Sequence, residues 1–200
     1  VDRGGKTWAM SFHRGEPGIF ADKNGEKSPS SPFTPFQDGS ELRVVGKVAK
    51  GVTGTRIRYW ADKQIFAPGA TFQLPGLENR ARQTAFLVPG LEITVRDERA
   101  ETPEDVSYRY DGGISEFVDF LAPDSGITDT WRLTGSGTFT ETVPVLQANG
   151  AMVATAVDRV CDVDIAIRWG TGYDTVMRSY VHIIATPKGG THQAGSEQAL

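Results

Sequence analysis

Cysteine is almost missing: Cys161 is the single one among 200 residues, so no internal disulfide is possible and the fold stands on packing alone. No segment approaches the roughly 18 consecutive apolar residues that mark a membrane-spanning helix. Basic charge is not in excess either. Twenty-one Lys and Arg against 25 Asp and Glu give a net charge of −4, which excludes a surface built mainly to hold nucleic-acid phosphates. If the chain serves a DNA-handling machine, other parts of that machine grip the DNA. The three histidines have no Cys, Asp or Glu partner at ligand spacing, so no metal site is expected. No signal peptide is visible, and the expected setting is a reducing cytoplasm without membrane contact.

What is present suits an ordinary globular chain of one or two domains: 38% apolar residues, with ten Phe and four Trp for a core. The chain opens on Val1 and stops at Leu200 within helical spacing, so it is expected to be a stretch of a longer polypeptide. Residues 6–14 alternate Trp8, Met10 and Phe12 against polar neighbours, which predicts one half-buried strand with His13 on its polar side. Residues 15–41 are rich in Pro, Ser and Gly and read as a long surface connection. Strands are expected over 42–50 and 54–60, paired with each other.

Residues 75–88 carry the best helical pattern. Leu77, Ala81, Thr84 with Ala85, and Val88 recur at three to four residues, Pro75 sits in the first turn and Pro89-Gly90 stops the run. A strand pair follows over 91–99 and 106–110, then a helix over 114–121. Four further strands are expected over 137–146, 152–160, 162–169 and 176–185, in one antiparallel sheet, with a helix starting at Thr191. Both helices should lie on one face of that sheet, and the modules on either side of Gly112-Gly113 should share no core. The fold class is α+β.

Each candidate site has a plainer reading beside it. The turn Lys188-Gly189-Gly190 precedes a helix, where backbone N–H groups can hold an anion, but it lacks the eight-residue P-loop spacing and reads more simply as a turn. Thr134 to Gly137 and Gly170 to Gly172 read the same way. Thr191 is expected to cap the helix, with His192 packed in its first turn. Cys161, between apolar residues, is expected to fill core space. Thr55 alone is a turn threonine entering a strand.

Several segments together resemble one family. Thr53-Gly54-Thr55-Arg56-Ile57-Arg58-Tyr59-Trp60 resembles the fourth signature of the GHKL ATPase fold, and Arg80 to Leu91 the helix and strand that follow it. Arg96-Asp97-Glu98-Arg99, then Tyr110-Asp111-Gly112-Gly113-Ile114-Ser115-Glu116-Phe117, resemble the crossing from ATPase domain to transducer domain, and Gly189-Gly190-Thr191-His192 resembles a transducer signature. In that order and spacing they are similar to the B, or ATPase, subunits of bacterial type II topoisomerases, DNA gyrase and topoisomerase IV. One position departs: after Gly195 the family usually places an aromatic residue, and this chain has Ser196.

The resemblance implies that residues 1–112 are the C-terminal part of a GHKL ATP-binding α/β sandwich and residues 113–200 the first part of a β-sheet-plus-helices transducer. It implies a DNA topoisomerase, an isomerase, whose full protein uses ATP and magnesium. Such a protein partners DNA and a topoisomerase A subunit, and dimerises through its B subunits on binding ATP. Gly54 and Thr55 match the nucleotide-pocket positions, where the threonine supports the carboxylate that reads the adenine amino group. Arg3 matches the arginine at the pocket mouth, an inhibitor-pocket rim, with a solvated turn arginine as the equal alternative. The resemblance places the family's catalytic glutamate and its γ-phosphate lysine outside this chain, so no catalytic residue is expected in it and the chain alone is expected to be inactive. Two other classes stay open: a non-catalytic α+β binding module, and a phosphate-handling enzyme built on the Lys188–Gly190 turn.

Overall fold

The computed structural model describes residues 1–21, 28, 30–37, 42–99, 101–148 and 150–199. It is a mixture of strands and helices, α+β as expected, in two compact units, Val1–Thr71 and Phe72–Leu200.

The first unit is all β among its described residues. β1 (Asp2–Arg3) turns back through Gly4 and Gly5 into β2 (Lys6–Ala9), which pairs with β6 (Arg43–Lys47) on its far side. β3 (Ser11–His13), β4 (Glu16–Phe20) and β5 (Phe33–Pro35) form a second antiparallel sheet. The single strand expected over 6–14 is therefore two, broken at Met10 and shared between sheets. The break reverses the faces beyond it. Phe12 is exposed, whereas His13 packs its ring at 5.3 Å from Phe33 and 6.0 Å, edge-on, from Phe20. The stretch 15–41 is not wholly irregular either, because β4 and β5 lie within it. Gly18 lets them meet: a side chain there would run into the Thr34 carbonyl and the Phe33 ring. Of that stretch, residues 22–27, 29 and 38–41 lie outside the described residues. Residues 55–60 form no strand, and Gly54 bridges to Asp2 rather than pairing with β6.

The second unit is organised around α1 (Leu74–Leu87) and α2 (Ile114–Leu121). α1 starts with Pro at its second position and lies on the hairpin of β7 (Ile93–Asp97) and β8 (Glu104–Tyr108), burying Ala81 and Ala85 against Tyr108, Ile93, Val95 and Tyr110. The expected stripe is partly misplaced. Leu77 and Val88 are exposed, and Phe86, absent from the pattern, is 1% exposed. Its ring stacks at 3.5 Å on Tyr110 and 4.7 Å on Phe117 of α2, with Phe120 at 5.4 Å. A common aromatic core thus crosses Gly112-Gly113, against the expectation of separate cores. The β7–β8 pair itself stays out of the later sheet.

Across the outward face of that hairpin, Arg96 donates twice to Asp105 at 2.6 Å, and Thr94 meets Ser107 at 2.7 Å. Arg99 reaches Asp97 at 2.6 Å and the Phe72 carbonyl at 2.9 Å; its hydrogen bonds hold the Asp97 carboxyl down at about 2.

Beyond α2 the four strands predicted from spacing are found as two long ones and two short ones. β9 (Trp131–Leu146) and β10 (Met152–Ile167) form one continuous ribbon, so residues 162–167 prolong β10 instead of starting a new strand. β11 (Tyr180–Val181) and β12 (Ile184–Ala185) form a separate tight hairpin, because His182 takes a positive φ of 54° and turns the chain. The turn after β9 closes with Gln147 donating to the Ala151 carbonyl; Asn149 lies outside the described residues. α2 rests against β10, while α3 (Thr191–Ala199) buries none of its residues. Cys161 is exposed on the ribbon, opposite Gly137, rather than in a core. At Ser196 the hydroxyl donates to the His192 carbonyl at 2.9 Å, so a short polar side chain suits a helix that covers no core here.

The crossing at 112–113 depends on backbone that only glycine adopts comfortably. Gly113 caps α2 at φ 64°, ψ −129°, and a Cβ there would stand 2.7 Å from Pro89 Cγ. The Gly112 amide donates to Glu116 Oε1 at 2.5 Å, which ties the first turn of α2 back on its entry. Gly113→Ala is expected to destabilise the chain by about 1–3 kcal/mol, from a strained left-handed backbone plus the clash with Pro89. The check is a shift of the urea midpoint with unchanged slope.

Candidate functional site

Arg3 lies far in sequence from the adjacent Gly54 and Thr55, and the fold brings the two segments together. Gly4 and Gly5 both take positive φ, 61° and 80°, the requirement of a two-residue hairpin turn that matches strand twist. This folds β1 onto β2, so Asp2 faces Thr7 and Arg3 faces Lys6. The free edge of β1 then pairs with residue 54: the Asp2 amide donates to the Gly54 carbonyl at 2.8 Å, and the Gly54 amide to the Asp2 carbonyl at 3.1 Å. This antiparallel bridge joins Asp2, next to Arg3, to Gly54, next to Thr55. The segment of Gly54 and Thr55 thus lies against the edge of the β1–β2–β6 sheet. Around the bridge, Thr7 Oγ1 donates to Asp2 Oδ1 at 2.6 Å, and the Val1 nitrogen donates to the Trp8 carbonyl at 2.7 Å.

Arg3, Gly54 and Thr55 are all exposed, and a Cβ built on Gly54 meets nothing within 4 Å. The surface at Gly54 is open. Arg3 pairs across the strands with Lys6, and Lys6 in turn with Lys47, so three cations stand in one row on one face. Like charges directly opposite are mildly destabilising. Lys6 offsets part of that by lying 5.6 Å from the centre of the Trp8 ring. Sequence reading misses the row, since register alone reveals it.

The Lys188–Gly190 turn is arranged differently. Gly189 donates its amide to the Thr186 carbonyl at 2.9 Å, and the His192 ring stands over Gly190, 2.7 Å from where a Cβ would lie. His192 Nε2 is 3.2 Å from Thr186 Oγ1, which meets Ser179 Oγ at 2.6 Å; Ser179 donates at 3.1 Å to Gln193 Oε1. These polar groups satisfy one another across the turn and the start of α3. The Gly190 carbonyl accepts from Gln193 and Ala194, so Gly190 takes the entry position expected of Thr191. No group of three or more His, Cys, Asp or Glu converges among the described residues, and no helix among them is long and apolar enough to cross a membrane.

Comparison with known proteins extends this picture. Residues 113–200 match the family model described as DNA gyrase B. The B subunit of DNA gyrase from Staphylococcus epidermidis is 34% identical over 160 residues, covering 80% of this chain and 22% of that protein. That of Treponema denticola is 33% identical over 169 residues, 84% of this chain and 24% of its own length, and that of Staphylococcus aureus is 34% identical over 161 residues, 80% of this chain and 22% of its own length. A mixed α+β chain with a glycine crossing at 112–113 is thus matched by one family on both sides of that crossing. The chain belongs to the DNA gyrase B family. It spans about a fifth to a quarter of the length of these relatives.

The Gly4-Gly5 turn folds β1 onto β2 and so presents the other edge of β1 to Gly54. Gly5→Val, which forces a β-branched residue to φ 80°, is expected to speed hydrogen exchange at the Asp2, Trp8 and Gly54 amides at least about tenfold, the equivalent of roughly 1–2 kcal/mol of left-handed strain. Exchange in α1 and α2 should stay as it is. Mass-spectrometric exchange on both forms reads this directly.

Proposed function

We propose that this chain is a stretch of the ATP-dependent subunit of a type II DNA topoisomerase, an isomerase that couples ATP binding and hydrolysis to passing one DNA segment through a break in another. The observation that carries the reading is the continuous relatedness to gyrase B proteins over 160 residues or more, which takes in both the nucleotide-side and transducer-side signatures. Residues 1–112 are the C-terminal part of the GHKL ATP-binding domain and residues 113–200 the first part of the transducer. The match of the family model from residue 113 onward supports that division.

In this reading Gly54 and Thr55 lie at the edge of the nucleotide pocket and Arg3 at its rim. The open backbone at Gly54 suits the approach of an adenine edge, and the Thr55 hydroxyl both donates and accepts without filling space. The cation row of Arg3, Lys6 and Lys47 supplies positive potential beside that edge. When bound, ATP provides the phosphoryl chemistry. In this reading the chain's contribution is to position the base. The whole protein works in the cytoplasm with DNA, a topoisomerase A subunit and a second copy of itself.

So few pocket positions give weak binding. In an NMR titration with ATP, amide shifts are expected at Arg3, Gly54 and Thr55, with affinity no tighter than millimolar and no turnover. Shifts confined to Lys188, Gly189 and Gly190 would support the phosphate-handling alternative instead. ATP hydrolysis above the buffer rate that disappears in Thr55→Ala would contradict the assignment of catalysis elsewhere.

A further inference from the structure

Beside the aromatic core of the second unit is a cleft of about 160 Å³, lying between α1, α2 and the segment around Tyr180. At about 30 Å³ per water it has room for about five, enough for one functional group and a short stem and too little for a nucleotide. One wall is apolar, from Phe117, Phe120 and Leu121 of α2. The other brings two guanidinium groups. Arg82 lies 5.2 Å from the Phe120 ring centre and 5.1 Å from that of Tyr108, held by ring faces, and among the described residues it has no carboxylate partner. Stacking fixes the plane of a guanidinium and leaves its N–H edge for an acceptor. Arg178 donates once, to the Met177 carbonyl at 3.0 Å, and likewise has no carboxylate partner among the described residues.

A third observation concerns Gln83. Its Nε2 is closed off from solvent and has no hydrogen-bond partner among the described residues. A buried amide donor left unpaired is unfavourable, and native structures contain few. Gln83 itself lines the cleft. Its terminal amide torsion is broad and soft, so a modest rotation turns the donor toward a bound acceptor. Tyr180, half-buried in the same wall, has its hydroxyl pushed above the usual phenol range by that burial, so it stays protonated as a further donor. The cleft therefore has several donors, two of them cationic, and no acid among its lining residues, in a chain whose net charge is −4.

We propose that this cleft binds a carboxylate carried on a short apolar stem, with Arg82 and Arg178 on the carboxylate, Gln83 completing its hydrogen bonds and Phe117, Phe120 and Leu121 on the stem. Guanidinium pairs match carboxylate and phosphate alike. The apolar wall is what favours a group with a hydrocarbon part over a bare oxyanion. This is independent of the nucleotide reading, which concerns Arg3, Gly54 and Thr55.

The test is a titration of the full chain, followed by NMR at constant ionic strength, with benzoate, inorganic phosphate and a short peptide ending in a phenylalanine carboxylate. Saturable shifts at Gln83, Phe117, Phe120 and Arg178 are expected with benzoate. Stronger binding of benzoate than of the peptide assigns the cleft to a free small acid, and the reverse to a peptide end. Arg178→Met, at an exposed position, should weaken binding about tenfold or more, the scale of a lost charge-assisted hydrogen bond. Gln83→Leu should leave the melting temperature unchanged or raised while weakening binding, a split that a merely structural glutamine would not give. Absence of saturation, equal affinity in Arg178→Met, or phosphate binding as tightly as benzoate would each overturn the proposal.

Discussion

The packing of α1, the β7–β8 hairpin and α2 depends on the stacking of the Phe86 ring on Tyr110 and on Phe117, at 3.5 and 4.7 Å. Each such pair contributes about 0.5–1.5 kcal/mol beyond simple burial, and the burial itself is nearly complete. The stack joins three elements. α1 supplies Phe86, the end of the β7–β8 hairpin leads into Tyr110, and α2 supplies Phe117. Phe117 in turn lies 6.1 Å from Tyr180 of β11, so the same cluster reaches the last hairpin. The chain turns sharply between Tyr110 and α2, and a Cβ at Gly113 would strike Pro89 while one at Gly112 would strike the Glu116 side chain.

The ribbon of β9 and β10 is held by other means. Its strands pair over sixteen residues, with cross-strand ion pairs from Arg132 to Asp164 at 2.8 Å and Arg159 to Glu141 at 3.3 Å, and Thr140 donating to Asp158 at 2.8 Å. Exposed pairs of this kind contribute at most about 1 kcal/mol each. The base of the ribbon is better anchored. Arg168, whose side chain is 17% exposed, donates to Asp119 at 3.0 Å and to the Asp124 carbonyl at 2.6 Å, and Trp131 meets Trp169 edge-on at 5.7 Å. Leu133, Phe139, Val160 and Met152 remain open to solvent along it.

Local signals in the sequence are strong where one element decides its own shape. Pro75 and Pro89-Gly90 bracket α1 to within a residue, and the spacing of Ile114, Phe117, Val118 and Leu121 marks α2. Long-range partners are not legible. The periodicity of α1 points to Leu77 and Val88, because a repeat cannot reveal that a second helix draws the buried face round to Phe86. His13 looks polar by alternation, and a break at Met10 puts it among aromatic rings. Likewise Cys161 sits among apolar residues in sequence, but a two-stranded ribbon has no core in which to place it. For the candidate site, family resemblance marks Arg3, Gly54 and Thr55, while the pairing of Asp2 with Gly54 and the row of three cations come only with the register.

The claim that one aromatic stack unites α1, the β7–β8 hairpin and α2 is tested most directly by Phe86→Ala, with denaturant unfolding and residue-level hydrogen exchange measured together. A loss of about 3–5 kcal/mol is expected, the usual cost of truncating a fully buried phenylalanine, with protection falling in α1, β7, β8 and α2 as one group. Protection lost in α1 alone, with α2 and the hairpin unchanged, would show that these elements do not share a core.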